Sequence, residues 1–244
     1  MRNIRLTLEY DGTNYHGFQR QKNARTIQEV LEEALHKILK ERVSLVSSGR
    51  TDSKVHALEH IVNFRTKSGI LPARLQPALN SLLPVDIVVK DAQPVSLKFH
   101  SQFDAESKLY RYTILNRRYG SAFYRKYAWL LNVKMDLKLM KREARALVGR
   151  HDFKAFQASG AKEGPTVRTI KALDITRSCD FVYIDIEADG FLYNMVRSIT
   201  GTLVDIGRGR LSKGTMKRIL EKKDRRLIGQ TAPAKGLCLI KVKY

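Results

Sequence analysis

Ile4, Leu6, Leu8 and Tyr10 alternate with Arg5, Thr7 and Glu9, the period of a strand with one buried face. Asp11-Gly12 then marks a turn. Thr26 opens a helix, with Glu29 three residues on as in a capping box. Ile27, Val30, Leu31, Ala34, Leu35, Ile38 and Leu39 follow at helical spacing. Residues 43–46 read as a short strand leading into Ser48-Gly49-Arg50-Thr51-Asp52, and residues 61–64 as a strand leaving it. Asp52 is therefore expected on a loop between two sheet elements, a common place for chemistry on a rigid scaffold. Leu75, Ala78, Leu79 and Leu82 predict a short helix ended by Pro84. Strands follow at 87–90 and 109–115; in the latter, Tyr110, Tyr112 and Ile114 share one face.

The second half repeats the theme. A helix is predicted over 137–148, strands over 170–176 and 181–187, and a turn at Asp189-Gly190. A long helix follows over 192–206, another over 212–222, and a closing strand over 238–244. The order strand, Asp-Gly-x-x-Tyr, helix occurs twice, at Asp11 to Tyr15 and at Asp189 to Tyr193. The reading is an α+β fold of two similar lobes, residues 1–105 and 106–244, each a sheet covered on one face by helices. No linker rich in Gly, Pro or Ser separates them.

Composition narrows the class. Of the 244 residues, 43% are hydrophobic, enough for a core, but charge breaks every apolar run before it could span a bilayer. The chain enters a strand pattern at once, so no secretory leader is expected. Cys179 and Cys238 lie far apart without a CxxC spacing, and a reduced, cytoplasmic protein is the expectation. Lys and Arg number 45 against 24 Asp and Glu, a net charge of +21. Such an excess favours a polyanion. The basic residues are spread along the chain rather than gathered on a tail or one amphipathic helix, which points to nucleic acid rather than a membrane surface.

Asp52, two residues after Arg50, is a carboxylate placed for work on such a polyanion; a structural ion pair with Arg50 is the alternative on local pattern. His56-Ala57-Leu58-Glu59-His60 spells an inverted zinc-protease motif. That chemistry needs a helix and a third ligand, whereas Ile61-Val62-Asn63-Phe64 reads as strand, so no metal is expected. Gly207-Arg208-Gly209-Arg210 reads as a helix C-cap with a basic loop. Lys222-Lys223-Asp224-Arg225-Arg226 is either a solvated helix end or an RNA contact.

Gly49-Arg50-Thr51-Asp52, with Val55-His56-Ala57, closely resembles the catalytic-aspartate motif of the TruA family of tRNA pseudouridine synthases. The resemblance runs almost end to end. Tyr10-Asp11-Gly12-Thr13, Tyr15 and Gly17-Phe18-Gln19 resemble the family's opening. Leu83-Pro84-x-Asp86-Ile87, Phe99-His100 and Lys108-x-Tyr110-Arg111-Tyr112 follow in order, then His151-Asp152-Phe153, Arg168-Thr169-Ile170, Gly190-Phe191-Leu192 with Met195-Val196-Arg197, and Gly236-Leu237.

The resemblance implies a pseudouridine synthase fold whose two lobes abut, sheet to sheet, around a basic cleft. It implies a homodimer that modifies uridines 38 to 40 in the tRNA anticodon stem-loop, with no cofactor or metal. It implies Asp52 as the essential carboxylate and Tyr110 against the target uracil. We expect Arg50 to serve the RNA backbone or an extruded nucleotide, and Arg197 to pair with Asp52. Three departures stand out: Phe18 for the usual Trp, Ser53-Lys54 for Ala-Gly after the aspartate, and Ser101-Gln102 for Ala-Arg. They leave the target uridines open: a paralogue acting at other RNA sites, or an RNA-binding protein without activity, are the alternatives.

Overall fold

A computed structural model describes residues 1–160 and 164–244. The chain forms two compact units, Met1–Glu106 with Cys238–Tyr244, and Ser107–Leu237. The first carries strands β1 (Arg2–Tyr10), β2 (Val46–Ser47), β3 (His56–Thr66) and β4 (Ile87–Val95), with helices α1 (Ile27–Leu39) and α2 (Pro72–Leu82). The second carries β5 (Ser107–Leu115), β6 (Trp129–Leu130), β7 (Gly149–Asp152), β8 (Val167–Ser178) and β9 (Phe181–Ala188), with α3 (Leu137–Ala144), α4 (Met195–Gly207) and α5 (Thr215–Lys222). The closing strand β10 (Leu237–Lys243), grouped with residues 106–244 in the sequence reading, runs parallel to β3 in the first unit, Cys238 beside His56 and Leu239 beside Ala57. The elements mix helix with largely antiparallel sheet, an α+β fold as the patterning predicts. No helix among the described residues is long and apolar enough to cross a membrane.

In the first unit, β1 lies between β3 and β4, antiparallel to both. Ile4, Leu6, Leu8 and Tyr10 are buried and Arg5, Thr7 and Glu9 half-exposed, so the alternation in the sequence is the alternation of the faces. Thr26 caps α1 by accepting from the Glu29 N–H, a contact worth about 1 kcal/mol. Ile27, Leu31, Leu35 and Leu39 bury that helix's apolar stripe, each contributing about 1.5–3 kcal/mol relative to exposure. Helix α2 is fastened to β4 by Asn80, whose amide both donates to the Val89 carbonyl (2.9 Å) and accepts its N–H (2.8 Å).

One departure in sequence finds its reason here. Ser101 is fully buried, and its hydroxyl donates to Asn63 Oδ1 at 2.7 Å. Asn63 donates in turn to the buried Asn3 at 3.0 Å, which donates to the Ser96 and Phe99 carbonyls. Ser101 thus completes a buried amide network in which each polar group has a partner. The exchange that removes a cation is at Gln102, which is exposed.

In the second unit the strand order is β5-β9-β8-β7, with β6 beside β5. Tyr110, Tyr112 and Ile114 of β5 and Val182, Ile184 and Ile186 of β9 are buried. The alternate positions, Phe181, Tyr183 and Asp185 among them, are half-exposed. Helix α4 is buried around almost its whole circumference, including Ser198, Thr200, Thr202 and Asp205. Its last turn holds an ion pair: Arg208 Nη2 lies 2.5 Å from Asp205 Oδ1, and Asp205 Oδ2 accepts from the Gln230 N–H at 3.0 Å. Gly207-Arg208 is therefore a helix end with its arginine turned to a structural task. Gly201 has no room for a side chain, since a Cβ there would lie 1.7 Å from the Gln230 carbonyl oxygen. The run after α5 is a helix end with its own partners: Asp224 accepts from the Arg226 N–H and guanidinium, and Lys223 Nζ lies 2.9 Å from Asp152.

The repeated Asp-Gly-x-x-Tyr follows a strand both times. Asp11 caps the next turn through the Thr13 N–H, and Asp189 accepts from the Thr169 N–H. The likeness ends there, because Tyr15 is buried and Tyr193 exposed.

Candidate active site

Asp52 lies on the loop from β2 to β3, half-exposed between the buried Thr51 and Val55, with Arg50 exposed beside it. The loop is held from beneath by the segment after β1. The Phe18 N–H donates to the Thr51 carbonyl (3.1 Å) and the Lys54 N–H to the Tyr15 carbonyl (3.2 Å). The Ser53 hydroxyl donates to that same Tyr15 carbonyl at 3.2 Å. Two glycines permit the approach. A Cβ at Gly12 would lie 2.0 Å from the Val55 carbonyl oxygen, and one at Gly17, whose φ is 91°, would lie 2.6 Å from that of Thr51. The opening motif of the chain is therefore the bed of the aspartate loop.

Buried polar groups fix it further. The Tyr10 hydroxyl sits 2.7 Å from Thr51 Oγ1 and 2.8 Å from His60 Nδ1, tying β1, the loop and β3 together. His56 Nδ1 lies 3.2 Å from the Gly12 nitrogen and 3.1 Å from Asp11. Phe18 packs its ring 4.4 Å from that of His60. Both histidines of the H-x-x-E-H run thus sit on a strand and serve the loop's foundation. Among the described residues no group of three His, Cys, Asp or Glu side chains stands where it could hold a metal. Tyr15 donates its hydroxyl to Asp86, and burial, reinforced by that bond, raises the phenol's pKa far above its ordinary value.

The Val55 N–H donates to the Asp52 carbonyl at 3.1 Å, closing a turn whose third residue, Lys54, has φ 64°. That is the position of a type II turn where glycine is the ordinary occupant. Lys54 therefore holds a left-handed conformation that costs about 1 kcal/mol in a residue with a Cβ. Lys54→Gly is expected to raise the midpoint of thermal unfolding by a few degrees. A lower midpoint by calorimetry would show that the lysine side chain contributes more than its backbone costs.

The other two candidates are in the second unit. Tyr110, on β5, is 7% exposed and meets Phe191 edge-on, ring centres 5.1 Å apart. Two residues earlier on the strand, Lys108 has its amine pKa lowered by burial and then by the Arg168 guanidinium, against the pull of Asp189. Arg197 lies in the first turn of α4. Its Nε donates to the Ala232 carbonyl (2.8 Å), its Nη1 to Asn194 Oδ1 (2.5 Å), and its own carbonyl accepts from the Ala232 N–H (3.1 Å). Burial drives the Tyr112 phenol pKa far upward, with Arg197 opposing. That hydroxyl donates to the Pro233 carbonyl at 2.7 Å. Each unit thus holds two of the four residues: Asp52 with Arg50 on one loop, Tyr110 and Arg197 on a strand and a helix.

Sequence reading missed the partners that hold the loop. The signal available for Thr51 and His60 was a tyrosine at the buried phase of β1, whose hydroxyl must find a partner.

Residues 7–104 and 144–244 match the family described as tRNA pseudouridine synthase. A protein of Thermoanaerobacter sp. (strain X514) named tRNA pseudouridine synthase A is 48% identical over the whole of both chains. Proteins of that name from Acetivibrio thermocellus and Clostridium acetobutylicum are 45% and 43% identical, again over the whole of both chains. The chain belongs to the tRNA pseudouridine synthase family.

Proposed function

We propose that this chain isomerises uridine to pseudouridine in tRNA, at positions 38 to 40 of the anticodon stem-loop, with Asp52 as the essential carboxylate. The observation that carries the reading is the Asp52 loop, clamped by the chain's opening segment, in a chain alike from end to end to proteins named tRNA pseudouridine synthase A. The reaction breaks the bond from the sugar to N1 of uracil, turns the base over, and joins the same sugar carbon to C5. The hydrogen on C5 leaves as a proton, and N1, freed from the sugar, takes one up. Substrate and product are isomers, so no electron has to enter or leave, and the chemistry asks for no redox cofactor. An ionised carboxylate suffices, either as nucleophile or as the base that takes a proton from the sugar.

The remaining residues serve the substrate. A base in a stem must leave its stack, at a cost on the order of a few kcal/mol. Tyr110 packs against the extruded uracil, and Arg50, exposed beside Asp52, holds the RNA backbone. Arg197 supplies the positive charge that keeps Asp52 ionised. Arg197→Ala is expected to cut turnover by about 100-fold with RNA affinity nearly unchanged; single-turnover kinetics at saturating enzyme measure this, and normal turnover would remove Arg197 from the chemistry. The protein acts as a homodimer in the cytoplasm, a compartment suited to the exposed free thiol of Cys179.

The test is release of tritium from tRNA transcripts labelled at uridine C5, followed by mapping of the modified positions. Release confined to positions 38 to 40 supports the proposal. Release at other positions would make the protein a synthase of different specificity. No release from any tRNA would remove the activity proposed here.

A further inference from the structure

From Ser107 to Met135 the chain contains no carboxylate and seven Lys and Arg. Within that stretch, the segment between β5 and β6 displays its aromatics to solvent: Phe123 is 86% exposed and Tyr119 68%. Large apolar rings held in water call for an explanation that packing does not supply. Tyr119 already lies under a cation, the Arg117 guanidinium 4.6 Å from its ring centre. Tyr124 meets Phe181 of β9 edge-on at 4.8 Å, and Phe181 stacks on Tyr183 at 6.0 Å with the rings 15° apart. The aromatic surface thus continues from the segment onto the half-exposed face of the sheet. Asp180 and Asp185 engage Arg117 and Arg111 respectively. Arg118 and Arg125 remain exposed on the segment itself.

We infer that the segment from Arg117 to Tyr127 is a stacking platform for unpaired nucleotides of the RNA, Tyr119 and Phe123 receiving bases and Arg118 and Arg125 receiving phosphates. Aromatic rings interleaved with cations, with no carboxylate between them, suit single-stranded nucleic acid. Every base has a face to stack, and phosphate contacts follow from the charge. A membrane surface would be met by an amphipathic helix, and the helical part of this segment is a single short turn. The inference rests on the RNA-modifying reading for its choice of partner, and names the part of the RNA that this unit holds.

The test is equilibrium binding, in an Asp52→Ala background, to a tRNA transcript, an oligouridylate and a perfect RNA duplex, each over a range of KCl. Tyr119→Ala with Phe123→Ala is expected to weaken binding to tRNA and oligouridylate by about tenfold or more, leaving duplex binding and the salt slope unchanged. Trp at both positions is expected to restore affinity, which separates stacking from damage to the fold. Arg118→Ala with Arg125→Ala is expected instead to lower the salt slope by about 1.4. Unchanged affinity in the aromatic double variant would overturn the platform. So would weakening that comes with a changed sedimentation coefficient, which would assign the rings to contact between copies. Loss of binding to anionic vesicles with RNA binding intact would assign them to a lipid surface. Binding is read without product, so an inactive wild-type protein that still loses affinity with its rings would sink the proposed activity alone.

Discussion

Asp52→Ala is expected to lower tritium release by about 10⁴-fold or more, while tRNA affinity stays within about threefold of wild type. The two halves follow from different parts of the structure. The loop is held by main-chain bonds from Phe18, Lys54 and Val55 and by Thr51 beneath Tyr10, so shortening the Asp52 side chain leaves its bed in place. A melting temperature within a few degrees of wild type is the control for that statement. The charge is what is lost. Asp52→Asn keeps the size and removes the anion, and is expected to be as inactive as alanine. Asp52→Glu keeps the anion and moves it by about one bond, where displacements of this order cost about 100-fold. Affinity is spared because it is spread over many phosphates across a chain of net charge +21. Residual activity above about one-tenth in Asp52→Asn would mean that another group carries the reaction. Loss of affinity in step with activity would mean that Asp52 positions the RNA rather than transforming it.

Much of the scaffold was legible because it is local. The alternation of Ile4 to Tyr10, the cap at Thr26 and the stripe from Ile27 to Leu39 are each written within one element, and each appears in the fold. The aspartate's place between two strands was legible for the same reason. Boundaries suffered where the signal was weak. Strand β3 starts at His56 rather than 61, because His56-Ala57-Leu58-Glu59-His60 lacks the β-branched residues that mark a strand. The helix predicted to reach 148 ends at Ala144 and tightens over Arg145–Leu147, and β6 and β7 are too short to show a period. Two features depend on distant partners and had no local signal. The place of β10 beside β3 pairs strands about 180 residues apart in the chain. The burial of Asp205 inside α4 is made tolerable by Arg208 and the Gln230 N–H. Lys54 shows a subtler failure. It stands out in the sequence as a departure after the aspartate, but its backbone is what the structure makes unusual.

The clamp under the aspartate yields the second large effect. Gly12→Ala would place a methyl group 2.0 Å from the Val55 carbonyl oxygen and 2.8 Å from its carbon, far inside contact distance, and backbone cannot swing aside as a side chain can. Relief requires the segment after β1 and the aspartate loop to part. Destabilisation of about 2–4 kcal/mol is expected, in the range of overpacked interiors. Val55 donates to the Asp52 carbonyl and adjoins His56, the first residue of β3, so a shift at Val55 displaces the carboxylate itself. Turnover of the folded variant is therefore expected to fall by about 100-fold, from a change that touches no reacting group. Gly69→Ala is the companion, since a Cβ there meets nothing within 4 Å, and it is expected to stay within about 0.5 kcal/mol of wild type. Denaturant melts give the stability, and single-turnover kinetics well below the melting range give the rate of the folded fraction. A stable but slow Gly12→Ala would separate the geometry of the loop from the stability of the unit. A variant as stable and as fast as wild type would mean that the opening segment does not set the position of Asp52.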